Sequence, residues 1–295
     1  MLNLAPAEGS LSTVKRQSEL VVVARRLAKN PSAVVGFIVA IALTLLAIFA
    51  PLIAPYPYDK QDLYNTRSAP SAEHIFGTDE LGRDIFSRIV YGSRFSLSIG
   101  FLAVLFSSSI GMVLGAIAGY FGGIVDDIIM RLIDLIQSIP GILLAITISV
   151  VLGPGFFNTL LALGFGMITM ACRLTRAAVL GVRHQEYLEA ATSINASTPR
   201  IILRHIIPNS FAPVLVSATM SIGNVIMAAA MLSFIGLGVQ PPMPEWGSMI
   251  AGGRSLIRSC PWMVTFPGIF IMLAVLALNL FGDGLRDALD PKLKK

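Results

Sequence analysis

Charge is what this sequence has least of. Only 13% of its 295 residues are Asp, Glu, Lys or Arg, about half the share usual in a soluble domain. Against 55% hydrophobic residues and a mean hydropathy of +0.75, that shortage excludes a soluble fold. A chain of this length could not hide so much apolar surface from water, so its solvent must be largely lipid. Histidine is nearly missing too: His74, His184 and His205 are the only three, and no H-E-x-x-H pair exists. No Lys follows a Gly anywhere, which excludes a G-x-x-x-x-G-K-[ST] phosphate loop. The two cysteines, Cys172 and Cys260, lack metal-ligand spacing. They fall near opposite membrane faces in the topology below, so a mutual disulfide is not expected. This shortage of paired nucleophiles, bases and ligands argues against a membrane enzyme.

What is present comes in long apolar runs. Stretches without any charged residue cover 30–58, 95–125, 135–172, 205–244 and 259–282. One crossing takes ~20 apolar residues, so 135–172 holds two, divided by Gly153-Pro154-Gly155 where a tight turn belongs. The expected spans are 34–54, 96–120, 128–152, 156–176, 209–234 and 262–281. The chain therefore reads as an all-α, polytopic membrane protein with six transmembrane helices. The first run is long enough to cross and no small-residue cleavage site follows it, so it is expected to remain as an uncleaved anchor. With the N-terminus inside, fifteen of the 22 Lys and Arg residues fall on the cytosolic side and seven outside, which favours both termini in the cytosol. The net charge of +5 is then topological, and no nucleic-acid partner is expected.

This topology divides the chain into a cytosolic segment 1–33, a first span 34–54, an extracytoplasmic loop 55–95, a five-helix core 96–282 and a cytosolic tail 283–295. Within the outer loop, residues 78–91 are expected to form an interfacial helix. Thr78 or Asp79 would cap it, Ile85, Phe86, Ile89 and Val90 would give its apolar side, and Gly92 would end it. Spans one, two, four, five and six carry no acidic residue at mid-depth. Ion-coupled carriers usually need such groups, so a stand-alone secondary carrier is disfavoured.

Two places carry polar patterning. At the start of span three, Arg131 has Asp127 four residues before it and Asp134 three after, both on its helical face. These three form either a structural ion network at the cytosolic mouth or a gate, with Pro140-Gly141 able to kink the helix beyond them. The second place is the loop at 186–209. Glu186 and Glu189 belong in the first turn of a short helix, where negative charge is favoured, and Ala190 and Ala191 are small enough for a close partner surface. Asn195 can adopt the left-handed conformation that ends this helix. Ser197 or Thr198 would cap a second helix with Pro199 at its first position, and Pro208 marks the next junction. Connectors in bundles usually run about 2–8 residues. One of this length with its own capped helices needs another reason.

The pattern Glu189-Ala190-Ala191, a turn residue, and then His205-Ile206-Ile207-Pro208-Asn209 resembles the EAA loop of bacterial ABC-importer permeases. Three further stretches resemble the C-type subunit of the dipeptide/oligopeptide/nickel group. They are Phe76-Gly77-Thr78-Asp79-Glu80-Leu81-Gly82-Arg83-Asp84 with the following Ser87-Arg88 and Tyr91–Leu97, then Leu232–Pro242 with Trp246-Gly247, and then Asn279–Pro291. The resemblance implies the type I importer permease fold and transport of dipeptides or oligopeptides, with nickel chelates or glutathione as alternatives. It also implies a second permease subunit, two cytosolic ATPase subunits that hold ATP and Mg, and an extracytoplasmic substrate-binding protein. This chain would need no cofactor or metal of its own in the bacterial cytoplasmic membrane. Glu186, Glu189, Ala190, Ala191, Ser193, Asn195 and Arg200 would couple to an ATPase. One departure stands out: the family has Gly in the turn where this chain has Asn195. Asn is the non-glycine residue that best tolerates a left-handed backbone, so the turn should survive.

Overall fold

The computed structural model describes residues 19–183, 185, 186, 193 and 195–289. Among them every regular element is helical, apart from a lone bridge pairing Thr78 with Asp84. In chain order the α-helices are α1 Glu19–Lys29, α2 Pro31–Ile48, α3 Ala50–Ile53, α4 Ile85–Phe121, α5 Gly123–Gln137, α6 Gly141–Leu152 and α7 Phe156–Val182. After these come α8 Thr198–Ile201, α9 Ile207–Phe234, α10 Trp246–Gly253 and α11 Trp262–Leu289. Five helices are long and apolar enough to cross a membrane, or six if α5 and α6 together make one span.

Local chemistry sets the breaks. Asn30 caps α2, its side chain accepting from Ser32 N and Ala33 N, with Pro31 in the first turn, where a missing N–H costs nothing. The expected span 128–152 is not one helix: α5 and α6 meet at 84°. Pro140 lies at the break, where it has no N–H to donate and restricts the residue before it. The 12-residue α6 is about 18 Å long, shorter than the ~30 Å hydrocarbon core, so it relies on α5 to complete the crossing. The turn at Gly153-Pro154-Gly155 forms as expected, with positive φ at both glycines. Asn158 Nδ2 closes it by donating to Leu152 O and Gly153 O.

The separate interfacial helix expected at 78–91 does not exist. The helix starts later, at Ile85, capped by Asp84 rather than Thr78 or Asp79, and runs unbroken through Gly92 to Phe121. Gly92 serves close packing instead: a Cβ there would collide with Pro244 O and stand 3.0 Å from the Trp246 ring. Two other spans also exceed their apolar windows, because a helix continues past the bilayer once its charged side chains reach water. The one running on from Phe156 extends to Val182, and the last reaches Leu289.

Small residues hold the bundle together. Gly111, Gly115 and Gly119 recur every fourth residue on α4 and face Ala171, Cys172, Thr175 and Val179 of α7. Without a hydrophobic drive between helices in lipid, such close backbone approach is what packs them. The same device joins α2 to α11, where a Cβ on Gly36 would lie 2.6 Å from Ala277 O. Arg26 Nη1 donates to Ala288 O at 3.4 Å, so α1 and the end of α11 lie at one end of the bundle.

Candidate functional site

Residues 196–207 of the 186–209 segment pack where α4 and α7 finish. Ala116 of α4 and Val179 of α7 pack there with Ile201 and Ile206, all four buried, against half-buried Tyr120, Ala196, Ile202 and Ile207. The far side of the loop is thus bolted to two spans. Its second helix, α8, starts after Ser197, with Pro199 in its first turn and no side-chain cap. It does not stop before the next span: a π-helical turn, Ile202–Ile206, carries it into α9. Such turns are rare, and those that occur are frequently at functional sites.

Of the expected coupling residues, Glu189, Ala190 and Ala191 lie outside the described residues. Glu186, Ser193 and Arg200 are exposed, as a docking surface requires. Asn195 has φ of +57°, the left-handed turn expected of it. Replacing Asn195 with Gly should preserve coupled transport. Asn195→Val should strain the turn by about 1–2 kcal/mol and lower the uptake rate, which vesicle assays of the two variants compare directly.

The ionic cluster differs from the expected one. Asp127, Arg131 and Asp134 are all exposed, and Arg131 makes no ion pair among the described residues. The pairs cross between helices instead, with Arg173 of α7 binding Asp134 and Arg176 binding buried Asp126 through two guanidinium nitrogens. Intrahelical spacing misses them. The sequence signal was a second helix carrying arginines three apart, 173 and 176, on the face toward α5. A bidentate pair with one buried partner fixes geometry as well as energy. Arg176→Ala should cost roughly 1–3 kcal/mol, between an exposed and a fully buried pair. The charge swap Asp126→Arg with Arg176→Asp should recover part of that loss in thermal unfolding, whereas either single variant does not.

The opposite end is a dense polar scaffold. Asp79, nearly buried, accepts from Leu81 N, Arg83 N and Arg83 Nε at 2.7–3.0 Å, with Arg88 Nε 3.6 Å away. Buried Arg88 also donates to Tyr58 O, and His74 Nδ1 lies 2.9 Å from Asp84 Oδ1. In the adjoining loop, the Asn65 side-chain amide holds the Asp62 carboxyl below the usual carboxylate range, helped by Tyr64 N–H. Glu245, 1% exposed, was not singled out from sequence. It caps α10 by accepting from Gly247 N and Ser248 N, and Ser96 Oγ donates to it. Fully buried Trp246 donates Nε1–H to Ile89 O, pinning α10 to α4. Its only early signal was a lone acid two residues before a Gly in an uncharged stretch. Glu245→Ala removes the cap, worth up to about 2 kcal/mol, and should lower the melting temperature by about 5 °C. Cys172 and Cys260 are both buried, so a thiol-reactive dye reads that transition without added probes.

A bundle of five or six helices long and apolar enough to cross a membrane, locked at one end by buried polar contacts, defines a multi-pass membrane protein. The chain belongs to the family of binding-protein-dependent transport system inner membrane components, whose model matches residues 111–295, while residues 18–70 match the N-terminal TM domain of oligopeptide transport permease C. It is similar to the dipeptide transport system permease protein DppC of Alkalihalophilus pseudofirmus, 49% identical over 92% of this chain and 89% of that one. It also resembles the glutathione transport system permease protein GsiD of Escherichia coli, 46% identical with the same coverage. Among solved structures it resembles an inward-facing conformation of the MetNI methionine ABC transporter, at a TM-score of 0.54 and 18% identity, covering 69% of this chain and 97% of that one. That likeness carries the fold.

Proposed function

We propose that this chain is the transmembrane subunit of an ATP-driven importer of dipeptides or oligopeptides in the bacterial cytoplasmic membrane, with both termini in the cytosol. The observation that carries the substrate is the 49% identity to a dipeptide permease along nearly the whole chain. The basic residues concentrated at the loop end of the bundle support the orientation. The chain itself is non-catalytic in this reading, and ATP and Mg belong to two cytosolic ATPase subunits. A second permease of similar fold completes the pathway, covering apolar side chains such as Val150, Val151 and Phe157, which are 62–78% exposed here. A substrate-binding protein delivers the cargo from outside.

The packing of the described residues supports a route for force. Closure of the ATPase pair would press on Glu186, Glu189, Ala190, Ala191, Ser193 and Asn195, with Arg200 on the neighbouring turn. Ile201 and Ile206 would pass that push to α4 and α7 through their shared buried cluster, and Asp126 and Asp134 would carry α5 along with α7 through their arginine pairs. Two-state rearrangement of packed helices is the usual form of such a switch. In this scheme Asp127 and Arg131 stand beside the gate rather than in its pairing. The relative at 46% identity supports a second reading, glutathione as cargo, and nickel chelates are a third. Competition in proteoliposomes decides among them. A labelled dipeptide displaced by unlabelled dipeptides but not by glutathione or a nickel chelate is the expected result, and displacement only by either of the latter would reassign the cargo.

A further inference from the structure

Asn224 sits near the middle of α9, far from either end of a span, yet its side chain is exposed. It makes no side-chain hydrogen bond among the described residues. An amide facing lipid at that depth has nothing to bond to, so exposed polar groups at mid-membrane face a cavity, water or another protein. Its helical neighbours repeat the pattern. Ser217 and Ser221 precede it at spacings of seven and three residues, on the same stripe.

Two hollows lie end to end along this stripe. One, of about 240 Å³, is lined by Asn224 together with Gly141 of α6 and Met167 of α7. The other, about 20 Å³, is lined by Ser217 and Ser221 with Ser108, Met170 and the same Met167. No Asp, Glu, Lys or Arg occurs from residue 205 to 244, so the α9 side of the groove is uncharged, with Ser217, Ser221 and Asn224 as polar groups set among Val214, Ala218, Val225 and Ala228. The broken helix α5–α6 borders it at Gly141, next to the 84° bend.

We propose that this stripe is the present chain's half of the translocation path, and that Asn224 hydrogen-bonds the backbone amide of a passing peptide. The chemistry is matched. A carboxamide carries one donor side and one acceptor side, as a peptide bond does. Methionine, unbranched and polarisable, adapts to side chains of differing shape and is used on promiscuous surfaces. Neutral hydroxyls and an amide therefore read the constant part of the cargo, while Met167 and Met170 tolerate the variable part. The inference rests on the peptide reading above for its cargo, but not for the existence of the path.

The test uses the complete reconstituted complex, in a background with Cys172 and Cys260 replaced by serine or alanine. Asn224→Cys and Ser221→Cys should react rapidly with a charged, water-borne thiosulfonate, Met272→Cys on the exposed face of α11 should not, and peptide undergoing transport should slow the labelling. Asn224→Leu should cut peptide uptake about tenfold, the worth of one lost hydrogen bond, and Asn224→Gln should restore most of it. Labelling of Asn224→Cys no faster than Met272→Cys, while the parent complex still takes up peptide, overturns the path, because the stripe then faces lipid or is sealed by the partner. Rapid labelling that no peptide slows keeps the path and overturns the peptide as its cargo.

Discussion

Glu189→Lys will insert and assemble like the parent protein, hydrolyse ATP in the assembled complex, and move no peptide. The residue falls in the segment between exposed Glu186 and the left-handed Asn195, where the resemblance to EAA loops puts the contact with an ATPase. Reversing its charge opposes the dipole at the start of the short helix expected there and repels whatever cation the docking cleft offers. The buried cluster that anchors the described part of the loop is built on Ile201 and Ile206. Uptake and phosphate release measured in the same vesicles separate the two effects. Wild-type uptake by Glu189→Lys would remove the coupling role from this loop.

The second large effect belongs to the framework. Gly115→Leu should unfold at a much lower temperature than the parent chain after detergent extraction. Its Cβ would stand 2.8 Å from Thr175 Cβ and 3.0 Å from Arg176 N, and backbone does not yield as a flexible side chain does. Overpacking of this kind costs about 3 kcal/mol or more, against a total stability of only roughly 5–15 kcal/mol. Cys172, buried in the same seam, would become thiol-reactive at that lower temperature. Gly181→Leu is the matched control. Nothing lies within 4 Å of a Cβ at that position, so it should extract and melt like the parent chain.

How legible this was in the sequence depended on the range of the interaction. The spans and the turn at Gly153-Pro154-Gly155 were legible because they rest on local composition, and so was Asn195, whose backbone freedom is intrinsic to the residue. Helix ends were not. The helix begun at Ile85 runs through Gly92 because Pro244 and Trp246 need the space a side chain would fill, a demand made some 150 residues away. Asp126 and Asp134 were visible as acids, but their true partners, Arg173 and Arg176, sit on another helix. Glu245 was hidden for the same reason, its role being fixed by Ser96 and by the N–H groups of the turn it caps. The bend between α5 and α6 was half legible: Pro140 announced a kink, but nothing in the local sequence sets its 84° angle.

This chain is expected to move peptide only when cytosolic ATPases drive it through the 186–209 loop. That expectation is tested most directly by reconstituting the permease pair with its ATPases and binding protein, and following labelled dipeptide into vesicles with ATP supplied or a proton gradient imposed. Uptake is expected to require ATP, binding protein and ATPases together, and to ignore collapse of the gradient. Uptake that survives removal of the ATPases and stops when the gradient is dissipated would contradict it.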